Sequence, residues 1–232
     1  MHVAISMHGN GQWAMQRGLP WTAGSVAGAA ALRITVALAA AAGIRTLTLY
    51  AIYGPGDVRP RYEAEADLGV LGHFLGDSLH SCLEQSVRIS LIGANDSLNP
   101  LLSPLCNHNR HLSVTGSRMH LRIVVDFSAH DRVIKAAWRS ADSQAPERFF
   151  HQLRVIDPTA LPAGAVDLWV RTGGGGFHSD FMLWEVAYAT PHFVAQSWPD
   201  FTACDFRRAI RLLPHVAGNV ANKLELSPLV IR

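Results

Sequence analysis

A chain of 232 residues, 49% hydrophobic and 16% charged, can bury a full core and suits one globular domain spanning residues 1–232 better than two. Its 20 basic and 18 acidic residues are scattered and leave a formal charge of +2, so there is no basic run of the kind that follows a nucleic-acid backbone. Cys82, Cys106 and Cys204 stand too far apart for a zinc site or a disulfide scaffold, and read as buried free thiols in a reducing compartment.

The N-terminal residues Met-His-Val-Ala-Ile-Ser lack the basic region and cleavage site of a signal peptide, so a cytoplasmic location is expected. Val3 to Met7 is a short apolar run that reads as a buried strand. Met7-His-Gly-Asn-Gly-Gln-Trp-Ala14 follows directly, ahead of a long alanine-rich helix at Ser25 to Ala42. Glycine-exposed amides in that setting form a seat for a phosphate or diphosphate. Such a site also wants a carboxylate for magnesium and an arginine for the oxygens, and the loop offers His8 and Gln12 instead. The apolar run Ala27 to Ala42 is interrupted by Arg33 and reads as a buried helix, with no transmembrane segment expected.

Further strands are predicted at Leu47 to Ile52, Val87 to Ile92, Leu121 to Asp126 and Val166 to Arg171, and helices at Tyr62 to Gln85, Asp131 to Arg139, Phe181 to Tyr188 and Cys204 to Leu213. Residues 95–117, with Pro100 and Pro104, read as an irregular excursion. Strands alternating with helices imply an α/β fold, with a mostly parallel central sheet flanked by helices. Ligands collect at the C-terminal ends of such strands, which brings His8 to Gln12, Tyr53 to Arg59, Asp126 and Arg171 to Ser179 around one mouth.

Arg171-Thr-Gly-Gly-Gly-Gly-Phe177 is a second glycine loop at that mouth, and reads either as a flexible turn or as a close backbone approach to an anion clamped by Arg171. His8 suits a metal ligand, a general acid or base, or a hydrogen-bonding filler; Asp126 would pair with it across the mouth or cap the next helix. Arg59 is a second phosphate contact or a solvated arginine. Trp13, Trp21, Tyr53 and Phe177 place aromatic rings near the same loops, where they fill core or line a pocket that stabilises a cation.

Together these segments resemble the cis-prenyltransferases, the family of undecaprenyl diphosphate synthase. The likeness runs in order through His2-Val-Ala-Ile-Ser-Met-His-Gly-Asn-Gly-Gln-Trp-Ala-Met-Gln-Arg-Gly-Leu-Pro20, Gly24 and Gly28, Leu47-Thr-Leu-Tyr-Ala51, Arg59-Pro60 and Val87 to Gly93. It ends with Asp167-Leu-Trp-Val-Arg-Thr-Gly-Gly, Ser179 to Trp184, Ala187-Tyr-Ala189 and Trp198-Pro-Asp-Phe201. The resemblance implies a homodimer with a hydrophobic tunnel, an isoprenyl diphosphate substrate and magnesium. On it, Gly9, Asn10, Gly11, Gln12, Arg59, Arg171 and Ser179 hold diphosphate, Trp13, Trp21, Ala51, Tyr53 and Phe177 line the substrate pocket, and His8, Asp126 and Asn10 are the catalytic candidates.

The departures have one direction. His8 and Gly175 stand at the family's metal-binding acidic positions, Gln12, Trp21 and Phe177 at arginine positions, Ser25 at a histidine, Tyr53 at a serine and Gly56 at an asparagine. Each lost charge-assisted phosphate contact is worth about 1.5 to 3 kcal/mol, which argues against magnesium and ordinary elongation with isopentenyl diphosphate. Two readings stand ahead of ordinary elongation. One is an enzyme that ionises an allylic diphosphate for cyclisation or for transfer to an unusual acceptor. The other is an inactive homologue serving as a binding or partner subunit.

Overall fold

The computed structural model describes residues 1–50, 69–77, 82, 85–92, 118–125, 128–142, 145–155, 166–174, 180 and 182–213. Ala51, Tyr53, Gly56, Arg59, Cys106, Asp126, Gly175, Phe177 and Ser179, singled out above, lie outside the described residues. Six strands form one sheet: β1 His2–Ser6, β2 Thr46–Tyr50, β3 Val87–Ile92, β4 Met119–Val124, β5 Leu168–Arg171 and β6 Thr190–Phe193. Their order is β3-β4-β2-β1-β5-β6 and every pairing is parallel, as the alternation of strands and helices predicts.

Strand alternation gives the sheet two unlike faces. Val3, Ile5, Leu47, Leu49, Leu121, Ile123, Leu168 and Val170 turn to one side and join the main apolar core. Helix α2, Trp21–Ala41, covers that side with Ala29, Leu32, Val36 and Ala39, aided by Leu71 and Phe74 of the helical stretch 69–77. α2 is long and apolar enough to cross a membrane by length and composition, but more than half of it is buried against the rest of the chain, as in the core helix of a soluble fold.

The other face carries His2, Ser6, Thr48, His120, Arg122, Trp169 and Arg171 at paired registers. Helix α3, Ala129–Arg139, begins at an N-cap, Ser128, whose hydroxyl accepts from the Asp131 amide. Arg132 of α3 pairs with Glu185, and Ser128 donates to Asp180 at 2.5 Å, which fastens α3 to the segment beside the sheet.

Four expectations need correction. Phe181 to Tyr188 reads as a helix, yet residues 183–188 form successive turns, and Met182 ahead of them takes a left-handed φ of 44°, which lets no helix run through it. Gln85 is in a turn with Ser86, also at positive φ, so the predicted helix ends before it. The loop at 7–14 tightens into a short helix, α1, at Asn10–Gln16. Cys204 is exposed, unlike Cys82, which is buried with its thiol pushed up to about 11 by desolvation. Two elements were not anticipated: helix α4, Pro146–Val155, with proline at its first position, and the edge strand β6. The last helix, α5, spans Ala203–Ile210 behind a capping box between Thr202 and Asp205.

Candidate functional site

The chain leaves β1 towards β2 on one side and later returns to pair β5 on the other, so the topological switch lies between β1 and β5. Ser6 and Arg171 face each other at its C-terminal end. Beyond Ser6, His8 leads into Gly9 at φ 92°, a left-handed conformation glycine adopts without penalty, and α1 starts one residue later. A side chain at position 9 would also meet Ser197 Oγ at 2.7 Å.

The two glycine turns are joined through Thr172. The His8 amide donates to Thr172 Oγ1 at 2.9 Å, and that hydroxyl points between the carbonyls of His8 at 3.1 Å and Ser6 at 3.3 Å. Gly173, at φ 87°, presses on His8: a Cβ there would lie 2.9 Å from His8 Cβ. From the other side, the Trp198 amide donates to the His8 carbonyl at 2.8 Å, and the Gly173 amide to the Gln196 carbonyl at 2.8 Å. His8 therefore meets the start of the Arg171 loop, and Thr172 and Gln196 to Trp198 make the joint.

α1 approaches α2 closely because α2 offers glycines. A Cβ on Gly24 would sit 2.0 Å from the Asn10 carbonyl oxygen, and one on Gly28 would sit 2.4 Å from Asn10 Oδ1. Asn10 is 9% exposed, and its Oδ1 and the buried Ser25 Oγ have no hydrogen-bond partner among the described residues. The Trp21 ring lies against the backbone of Gly11, where a Cβ would fall 1.3 Å from Cζ3, so Trp21 walls the turn with an aromatic surface. Gln12 is exposed. Trp13 is half-buried, and its indole N–H donates to Asp200 Oδ1 at 2.7 Å.

Arg171 is the electrostatic centre of the site. Only 8% of it is exposed, and its Nε and Nη1 reach no acceptor among the described residues. Burial draws its pKa below the ordinary arginine value. A buried guanidinium left unpaired is costly unless an anion completes it, and its planar fork fits phosphate oxygens. Magnesium fits less well. Among the described residues no three His, Cys, Asp or Glu side chains gather, and those at the turn supply His8, Asn10 and Thr172 without a carboxylate, where a hard cation wants carboxylate oxygens. No chemical step is assigned to a metal.

Sequence reasoning found His8, Gly9, Asn10, Gly11 and Arg171 but gave no part to Ser197 or Asp200. Their only signal was the Trp198-Pro-Asp-Phe201 block, and nothing local ties it to residues nearly two hundred positions earlier.

The fold defines an α/β protein whose candidate ligand seat lies at the switch point, at the C-terminal edge of a parallel sheet. A family profile described as "Putative undecaprenyl diphosphate synthase" matches residues 6–214, and the chain belongs to this family. It is 38% identical over 210 residues to isoprenyl transferase 1 of Bradyrhizobium diazoefficiens, covering 90% of this chain and 85% of that one. It is 33% identical to the isoprenyl transferase of Aquifex pyrophilus, covering 90% of each. Among solved structures, lavandulyl diphosphate synthase from Lavandula x intermedia, in complex with dimethylallyl diphosphate, has the same fold. The TM-score is 0.80 at 22% identity, covering 96% of this chain and 94% of that one.

Proposed function

We propose that the protein, acting as one domain, converts an allylic isoprenyl diphosphate by ionising it, for cyclisation or for transfer to an unusual acceptor. The observation that carries the reading is the buried Arg171, its Nε and Nη1 without an acceptor among the described residues, at the end of β5 next to the Thr172 joint to His8. Its guanidinium and the amides of the Gly9–Gly11 turn hold the diphosphate, with Gln12, Arg59 and Ser179 as further contacts drawn from the sequence. The allylic C–O bond breaks, the diphosphate leaves with the electron pair, and Arg171 stabilises the charge that develops on it. Trp21, with Trp13, Ala51, Tyr53 and Phe177 by sequence position, provides the hydrocarbon side, where ring faces stabilise a carbocation. His8 accepts the proton released on quenching, with Asn10, and Asp126 by sequence position, as the other catalytic candidates. The kinship in fold with a lavandulyl diphosphate synthase that binds dimethylallyl diphosphate supports a short allylic substrate.

Incubation with dimethylallyl, geranyl and farnesyl diphosphates, with and without magnesium, tests this by mass spectrometry. A hydrocarbon, alcohol or coupled product, lost in Arg171→Met, is the expected result. No product under any condition overturns the enzyme reading.

A second reading, a partner subunit without catalysis, rests on the surface around α3, α4 and residues 182–188. There Trp138 is 80% and Tyr188 95% exposed, and Phe150 and Trp184 pack edge to face at 5.8 Å while both remain exposed. Such aromatic surface suits a subunit interface, in a homodimer if the chain is an enzyme or with an active homologue if it is not. Light scattering of the pure protein against co-purification with such a homologue separates the two. Cytoplasmic location follows the sequence reading and is tested by fractionation.

A further inference from the structure

We propose that Asp200 is a positioning residue, which sets α1 and the Gly9 turn in place for the ligand held by Arg171; the claim rests on the anion-seat reading above. α1 has seven residues, no side-chain cap at Gly9, no acidic residue in its first turn and no basic residue in its last. A helix that short has little stability of its own, so neighbouring contacts must fix its position.

On its inner side those contacts are the glycines of α2. On its outer side they converge on one carboxylate. Asp200 Oδ1 accepts the Trp13 indole N–H at 2.7 Å, and Oδ2 accepts Arg17 Nη2 at 3.1 Å. Arg17 also donates Nη1 to the Trp13 carbonyl at 3.2 Å and lies 4.3 Å above the Trp13 ring. One side chain thus holds two positions four residues apart, which lie on one face of a helix.

The carboxylate is itself well placed. It belongs to a short 3-10 helix, Trp198–Asp200, and its own amide donates to Ser197 O at 3.0 Å. Trp198 in that element is fully buried, donates its indole N–H to Gly28 O at 2.9 Å and its amide to His8 O. The segment Ser197 to Asp200 therefore grips the turn at its entry, through His8 and Gly9, and at its far side, through Trp13. The Arg17–Asp200 pair is about two-fifths exposed on both sides and adds little to global stability by itself. Its effect is geometric, on where α1 sits.

The test compares Asp200→Ala, Asp200→Asn, Trp13→Phe and the Trp13→Phe/Asp200→Ala double variant, using amide hydrogen exchange and calorimetric titration with inorganic diphosphate. Asp200→Asn keeps an acceptor for Trp13, and Trp13→Phe keeps the ring but removes the donor. Expected are faster exchange in residues 8–16 and about tenfold weaker diphosphate binding in Asp200→Ala and Trp13→Phe, with the double variant well short of the product of the two. Asp200→Asn should restore most of the binding. Unchanged exchange at 8–16 in Asp200→Ala would overturn the proposal, as would equal acceleration in strand 46–50, or full additivity of the two changes. Should the unaltered protein bind no diphosphate, the anion-seat reading falls, while the exchange comparison still decides whether Asp200 fixes α1.

Discussion

The two faces of the sheet are built from the same strands, residue by residue in alternation, and do opposite work. Val3, Ile5, Leu47 and Leu49 on one side meet α2 in a continuous apolar core. On the other side, Ser6, Thr48 and Trp169 are buried too, but as a hydrogen-bonded layer: His2 Nε2 and Thr48 Oγ1 lie 2.8 Å apart, Ser90 Oγ and His120 Nε2 2.8 Å apart, and Trp169 Nε1 donates to Ser6 Oγ at 3.1 Å. Burying apolar area stabilises a fold without specifying a ligand, whereas buried polar groups cost stability unless each is matched. The contrast places most of the apolar burial on one face and the candidate anion seat at the strand ends of the other, where Arg171 keeps Nε and Nη1 unmatched among the described residues.

Leu47→Ala would test the apolar face most severely. It removes a fully buried side chain and should cost about 3 kcal/mol in urea unfolding, with diphosphate affinity of the folded fraction unchanged. Equal loss of affinity would mean the faces are not separable. Gly11→Ala acts where the faces meet the turn. The new methyl collides with the Trp21 ring and should cost about 2 kcal/mol by overpacking, most of it relieved by adding Trp21→Ala.

Arg171→Met inverts the pattern. Removing a desolvated, unpaired cation should raise stability by roughly 1 kcal/mol while abolishing diphosphate binding, so a drop in the melting temperature would contradict the account of that side chain. The smallest effect is on pH dependence. Burial, then repulsion from Arg88 and Arg122, pushes His120 down to about 4 from 6.5. The unfolded chain then binds the proton first, so stability should be level above pH 6.5 and decline as pH falls from 6.5 towards 4. His120→Asn should flatten that part of a stability profile measured by denaturant titration.

The sequence made the first five strands legible because buried parallel strands are apolar throughout and short, as Val3 to Met7 shows. β6 escaped notice because Thr190-Pro191-His192-Phe193 is half polar and holds a proline, which an edge strand tolerates. The apolar stretch Met182 to Tyr188 misled in the opposite direction: composition suggests a helix, while the chain there turns and opens on a left-handed residue. At the site, Gly9 and Arg171 were readable from their places after predicted strands. That Arg171 would be buried without a partner, or that Asp200 would receive Trp13, depends on contacts across 187 residues in the latter case and has no local sequence signal.

The central strand has a consequence for how the protein comes into being. β1 is made first, yet its partner β5 and the residues that grip its exit, Thr172 and Trp198, follow about three-quarters of the chain later. A nascent chain on the ribosome can dock α2 against β1 and β2 early, but it has no ligand seat until Trp198 has emerged. Such long-range closure is slow, and an element that arrives late in the chain is the one that shapes the Gly9 turn. Shortened products of synthesis would then keep much of the apolar core while the Gly9 turn lacks the contacts from Thr172 and Trp198 that close it.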